Sequence, residues 1–221
     1  MATETIGENT GNTYTGVTDA CFKENNPTNP FGLATTFEIH KYGSGDHANG
    51  AIKFSGLSNI VGPVTVTAAT LYLWNTPAVG ATSTISAFRL LRNWVETEVT
   101  WNVFSSKNNW TTGGGLGAAT DRVAAASGSG VIGSASGQYF PITGLAADVE
   151  AWINGTANNY GWLLERTDGA NDSTYQVFKS SQSTDDFQRP YLEVTYTAGG
   201  GGGGGGNPWY YYANEQLVRE S

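Results

Sequence analysis

Short runs in which apolar and polar residues alternate, cut every few positions by Gly, Asn or Pro, set the tightest limit on this chain. A period of two is that of a strand with one buried face, and the punctuation leaves little room for long helices. Ala51-Ile52-Lys53-Phe54, Val64-Thr65-Val66-Thr67 and Ala69-Thr70-Leu71-Tyr72-Leu73-Trp74 read as strands. Thr84 to Leu91 reads as another, but Ile85, Phe88 and Leu90 do not share a face, which predicts a bulge or register switch near Ala87. Gly161 to Arg166, Gln176 to Lys179 and Tyr191 to Tyr196 complete the set; in the last, Leu192 and Val194 face one way and Tyr191, Glu193 and Thr195 the other.

One stretch departs from this period. Leu145, Val149, Trp152 and Ile153 fall at i, i+4, i+7 and i+8, a single apolar stripe. Thr143 is placed to cap such a helix and Asn154-Gly155 to stop it. A short amphipathic helix in an all-β chain is expected to plug one open end of a sandwich. Thr111 to Gly137 is rich in Gly, Ala and Ser, has little to bury, and reads as a long excursion with at most short strands. No repeat of 20–50 residues indicates a solenoid or propeller.

Eight consecutive glycines, Gly199 to Gly206, then divide the molecule. Polyglycine buries no side chain and loses the most backbone entropy on ordering, so it reads as a tether. As a coil it spans roughly 15 Å, and up to about 28 Å fully extended. Residues 1–198 therefore form the folded body, 199–206 the linker, and 207–221 a C-terminal peptide. That peptide carries Trp209, Tyr210, Tyr211 and Tyr212, and then Leu217 and Val218. Aromatic side chains offer large contact area at low entropic cost, so these six residues are the expected partner-docking positions.

Eleven basic and 19 acidic residues give a net charge of −8. Without Lys/Arg clusters, such a chain repels nucleic acid and anionic lipid. Cys21 is the only cysteine, so no intramolecular disulfide forms, and it reads as a small buried hydrophobe. The stretch Met1 to Glu8 lacks the basic and apolar regions of a secretory signal, and no run is apolar enough to span a membrane. If Met1 is the native start, the chain is made in the cytoplasm.

Several fragments, in order, carry a resemblance. They are Asn25 to Gly32, Ala51 to Leu57, Val66 to Leu73, the segment Trp94-Val95-Glu96-Thr97-Glu98-Val99-Thr100-Trp101-Asn102, Leu145 to Gly155, Asn159 to Leu164 with Phe178 to Ser181, and Arg189 to Tyr196. From about Tyr14 to Tyr196 the chain resembles the DNRLRE-type β-sandwich domains, related to alginate-binding carbohydrate modules of jelly-roll form. The string that names that family is absent, and the Gly-Ala-Ser excursion and glycine tail are additions. The resemblance implies fold more than activity. It extends to free-standing modules, parts of large secreted proteins and phage structural proteins.

Candidate chemistry is sparse. Glu96 and Glu98 form a carboxylate pair only if they face one cleft. On a strand they would point the same way about 6–7 Å apart, unlike a glycosidase pair facing across a cleft. A structural role is expected instead, with Trp94 and Trp101 in the core and Thr100 and Asn102 holding a corner. His40 and His47 read as loop histidines, and Gly113-Gly114-Gly115 lacks the lysine of a phosphate loop. Asp168, Asn171 and Asp172 cluster oxygens suited to Ca2+, without EF-hand spacing; Asp185-Asp186 is a weaker echo. For glycan binding the candidates are Trp110, Tyr160 and Tyr175, with Lys107 and Lys179 as charges toward an acidic polymer.

The expectation is thus an all-β jelly-roll sandwich with one short helix, and no enzyme. It is a structural or surface protein of a phage-like virion, such as a capsid decoration, fibre or attachment module. The tail anchors it to other virion proteins in homo-oligomeric display, and it binds polysaccharide where it binds a glycan at all. The alternative is a carbohydrate-binding module of an extracellular polysaccharide-degrading system.

Overall fold

Alternation resolves into strands wherever both edges of a run find partners. The computed structural model describes residues 1–7, 16–43, 45–76, 82–169 and 174–199. The docking positions Trp209, Tyr210, Tyr211, Tyr212, Leu217 and Val218, and Asn171 and Asp172 of the Ca2+ candidate, lie outside the described residues. In chain order the described elements are β1 (Ala2–Gly7), β2 (Val17–Lys23), β3 (Thr36–Tyr42), β4 (Asp46–Phe54), β5 (Val64–Asn75), β6 (Ser83–Arg89), β7 (Val103–Ser105), β8 (Asn108–Asn109), β9 (Gly128–Ile132), β10 (Gln138–Ile142), α1 (Ala146–Ile153), β11 (Trp162–Arg166), β12 (Tyr175–Lys179) and β13 (Tyr191–Ala198). The chain is an all-β sandwich with a single short α-helix among the described residues.

Pairing registers define two layers. Leu71 of β5 pairs with Leu192 of β13 on one edge and with Ile142 of β10 on the other, and β1 adds to β13. The facing layer runs β2-β4-β11-β6-β9, all antiparallel. At one side β12 and β3 carry hydrogen bonding around the corner from Asn75 of β5 to Ala48 of β4. Between the layers lies the main core, with Leu71, Leu73, Leu192 and Val194 meeting Ile52, Ile85, Trp162 and Leu164. The two strands expected at 64–67 and 69–74 are one 12-residue strand, and the shift that separates their patterns is a bulge against Thr195/Tyr196.

The bulge expected near Ala87 is absent. Strand β6 runs in unbroken register with β11 from Ile85 to Arg89. Ile85 and Ala87 face the main core, while Phe88 and Leu90 belong to a second apolar cluster on the outer face of the same layer. That cluster takes Ala20, Phe22, Ala51 and Leu163 from the sheet and is roofed by Trp94, Val99, Trp101 and Trp110. Strands buried on both faces lose the alternation that marks a half-buried strand.

The excursion also buries more than its composition suggests. Leu116 and Val123 pack against the second core, and Asp121 is fully enclosed. Its carboxylate accepts from the backbone N–H groups of Thr111 (2.9 Å), Thr112 (2.9 Å) and Gly117 (3.2 Å), tying the roof together. Gly114, at φ +74°, lies under the Trp101 ring, where a Cβ would meet ring carbons at 2.6 Å. The glycine triplet is therefore a seat for an indole.

Helix α1 forms at the expected place, but Thr143 does not cap it: Thr143 exchanges backbone hydrogen bonds with Ser129 at 3.1 Å, and Leu145 precedes the helix without a side-chain cap. The helix lies along the part of β5 that β10 leaves unpaired. Glu150 Oε2 accepts from Val66 N (2.8 Å), and Asn154 accepts from Val64 N (2.9 Å) and donates to Val64 O (2.8 Å). Across the gap Asp148 accepts from Trp162 Nε1 (2.9 Å) and pairs with Arg89 (3.1 Å). It thus bridges the two layers and covers an edge that would otherwise be open.

Candidate functional site

In the C-terminal half of β5 the residues that point away from the main core are Thr70, Tyr72 and Trp74, all half-buried. Register then decides what lies beside them. Tyr191 of β13 pairs with Tyr72, Glu193 with Thr70, and Tyr139 of β10 with Trp74. The result is a contiguous strip of four rings on the outer face of the β1-β13-β5-β10 layer. Tyr72 and Tyr191 stack at 4.5 Å and 11°, Tyr139 meets Tyr191 edge-on at 4.9 Å, and Trp74 meets Tyr139 edge-on at 5.0 Å. Tyr139 Oη donates to the carbonyl oxygens of Phe187 (2.6 Å) and Arg189 (2.9 Å), fixing the loop beside the strip, where the Phe187 side chain is 71% exposed.

Threonines continue the same face: Thr3 and Thr195 meet hydroxyl to hydroxyl at 3.1 Å, and Thr67 Oγ1 donates to the Thr195 carbonyl (3.1 Å). Burial pushes the Tyr72 phenol upward, with Glu193 adding to it. The Tyr191 phenol rises through burial, then through Tyr72 and Glu193. Both phenols therefore stay protonated, as hydrogen-bond donors, at neutral pH. Aromatic bodies with hydroxyl tips suit a ligand that is itself apolar on one face and hydroxylated at its rim.

A second surface is an open groove of ≈ 700 Å³ over the roof of the second core, between the β2–β3 loop and the β7–β8 hairpin. Thr28, Glu98, Asn102 and Asn109 line it beside Trp110. The Glu96/Glu98 segment is a turn here, with the N–H groups of Glu98 and Val99 donating to the Val95 carbonyl. Its two carboxylates serve different neighbours. Glu96 accepts from Asp19 N (3.2 Å) and Gln182 Nε2 (3.0 Å), and Glu98 accepts from Ser106 N (2.7 Å). The structural role expected for the segment holds, for a different geometric reason. Thr100 Oγ1 takes the N–H groups of Asn102 (3.2 Å) and Val103 (3.3 Å), whereas Asn102 contributes only its backbone to that corner.

The other sequence-nominated residues scatter. Trp110 is 5% exposed, donates Nε1–H to the Thr100 carbonyl (3.0 Å) and packs on Phe22 and Phe104, so it is no free platform. Tyr160 is half-buried against the second core. Tyr175 is half-buried on β12 opposite His40. Lys107 is exposed in the β7–β8 hairpin. Lys179 follows Phe178, which pairs with Asn75, and so sits at the Trp74 end of the aromatic strip. Asp168 is held by the Arg166 guanidinium, Nε lying 3.0 and 3.1 Å from its two oxygens, and accepts from Thr84 N (3.1 Å). Among the described residues, no cluster of three or more His, Cys, Asp or Glu could hold a metal ion.

Neither histidine is a free loop residue. His40 is buried, stacked on Tyr42 at 4.3 Å and 3.3 Å from Asp46, and His47 contacts Glu24 at 3.4 Å. The strip residues Tyr72, Trp74, Tyr139 and Tyr191 were not among the nominated ones. Tyr72 and Trp74 on the outward register of a strand, where Thr or Lys is usual, were the legible signal. The pairing that brings Tyr139 and Tyr191 beside them was not.

Residues 11–112 match the model of carbohydrate-binding module family 96, and that stretch is similar to a carbohydrate-binding module. It covers β2 to β8, including Tyr72, Trp74 and the groove's lining except Gly113, and stops short of Tyr139 and Tyr191. No curated protein matches the chain.

Proposed function

We propose that this chain is a non-enzymatic glycan-binding module and that its binding face is the aromatic strip of the β1-β13-β5-β10 layer. The observation that carries this reading is the contiguity of Trp74, Tyr139, Tyr191 and Tyr72 on the solvent side of one sheet, with threonine hydroxyls continuing the surface. The similarity of residues 11–112 to a carbohydrate-binding module supports it. Cross-strand aromatic pairs also stabilise sheets, so the test must separate binding from folding. Affinity electrophoresis of the full chain through gels containing a panel of polysaccharides does so. The native chain should be retarded by at least one polymer, and Trp74→Ala and Tyr139→Ala should lose most of that retardation while keeping a cooperative melt. Equal retardation of both variants would remove the strip from the reading.

The finer reading places this module on a phage-like virion, made in the host cytoplasm and mounted through residues 207–221. It rests on the eight-glycine tether and the Trp-Tyr-Tyr-Tyr sequence beyond it, and on the resemblance to DNRLRE-type domains. Many copies displayed on one particle would turn weak single contacts into avidity. An extracellular polysaccharide-degrading system is the alternative setting for the same face. The reading needs no cofactor, and Arg166 already holds the Asp168 carboxylate of the Ca2+ candidate.

A further inference from the structure

We infer that the aromatic segment at residues 209–212 docks on the chain's own body, in a groove between the 3₁₀ turn Ser55–Asn59 and the C-terminal end of α1. This deepens the reading of residues 207–221 as a docking peptide and rests on it. It does not depend on the aromatic strip, none of whose four rings lines the groove. The groove has a volume of ≈ 470 Å³, within the range of about 300–1,000 Å³ usual for ligand sites. Leu57, Ile60, Val61, Trp152 and Ile153 supply its apolar lining, and none of its lining residues is ionisable. Val61 is 84% exposed, so an occupant would bury apolar surface that now meets water. Trp152 is 8% exposed, and its enclosed Nε1–H meets no acceptor among the described residues. A carbonyl or phenol oxygen of an occupant would satisfy that donor.

The point where the described chain ends selects the occupant. Strand β13 runs to Ala198, opposite Val64, and Gly199 donates its N–H to the Pro63 carbonyl at 2.8 Å. Gly62, the residue before Pro63, lines the groove, so the tether starts at the groove's edge. Trp209 follows Gly199 by ten positions, a coil span of roughly 16–19 Å, and the aromatic segment reaches the groove without stretching the tether. A short flexible tether holds its end at millimolar effective concentration, so a contact too weak to last between separate molecules is populated within one. Charge matches as well, because residues 209–212 are uncharged and so is the lining they meet. A docked-to-free ratio of about two raises the melting temperature by about 2 °C at most and leaves the segment free to exchange onto a mounting partner.

Amide NMR spectra of the full chain test this against a full-length variant carrying Trp209→Ser, Tyr210→Ser, Tyr211→Ser and Tyr212→Ser, which leaves the sequence of the body intact. The expected shift differences fall on the amides of Leu57, Ile60, Val61 and Ile153 and on the Trp152 indole N–H, and they persist on dilution. In Val61→Asp, which sets a carboxylate in the groove, the resonances of the tail should move to their positions in a free peptide of residues 207–221. Differences that vanish on dilution would seat a second copy's tail in the groove and overturn docking by the chain's own. Groove resonances identical in the native chain and the tail variant overturn the groove as the docking place. The role of the tail in mounting is read separately, by whether a chain without residues 200–221 still enters a particle.

Discussion

Cys21 shows how far one residue type can be read alone and where its surroundings take over. As the only cysteine of the chain it was expected to be a small buried hydrophobe, and it is buried, with Sγ donating to the Glu38 carbonyl at 3.4 Å. Burial pushes its thiol up from 9.0 to about 12, against a smaller lowering by the Glu38 hydrogen bond. The unfolded chain releases this proton near pH 9 while the folded chain keeps it, so the folded state binds more protons between the two values. Its contribution to stability is therefore complete below pH 9 and is lost as pH rises toward 12, at up to about 1.4 kcal/mol per pH unit. Tyr42, raised to about 12 mainly by burial, acts in the same direction. Urea midpoints measured between pH 8 and 11 should fall for the native chain and fall less steeply for Cys21→Ala. Parallel slopes would show that burial does not protect the thiol.

At the scale of elements, the sequence located helix α1 but not its task. The apolar stripe of Leu145, Val149 and Trp152 was plain, and each of the three is buried in the main core. That Glu150 and Asn154 on the same helix satisfy the edge of β5 is set only by where β10 stops pairing. Removing Asn154 leaves the Val64 N–H and carbonyl without their partner. Asn154→Ala should therefore destabilise the fold by about 1–3 kcal/mol in urea unfolding, and Asn154→Asp, which keeps the acceptor, by less. A change within about 0.5 kcal/mol would mean that water replaces the side chain at this edge. Strand β6 teaches the converse: its lack of alternation predicted a bulge, and the real cause is a second core on its outer face.

For the whole molecule, the division proposed from the sequence is between the body and residues 200–221; Gly199, the last described residue, donates its N–H to the Pro63 carbonyl at 2.8 Å. If residues 200–221 serve only as tether and docking peptide, removing them should shift the melting temperature by no more than about 2 °C. Polysaccharide retardation by the truncated chain should be unchanged, while its incorporation into a particle should be lost. A truncated chain that still assembles would assign the tail another role. On that proposal, binding and mounting are separable properties of two parts of one chain.

Local chemistry made the all-β class, most strand positions, the helix stripe and the burial of Trp94 and Trp101 legible, because period and side-chain size act over a few residues. The sites were not legible in the same way. Trp110 was a glycan-binding candidate and is a buried part of the roof, Asp121 falls in the excursion and organises that roof, and Tyr139 and Tyr191, 52 positions apart, share one face. Strand pairing between distant segments decides which outward side chains become neighbours, and no local pattern encodes it. Residue order and local period settle what this protein is built from; long-range pairing alone selects which of its aromatics meet water together.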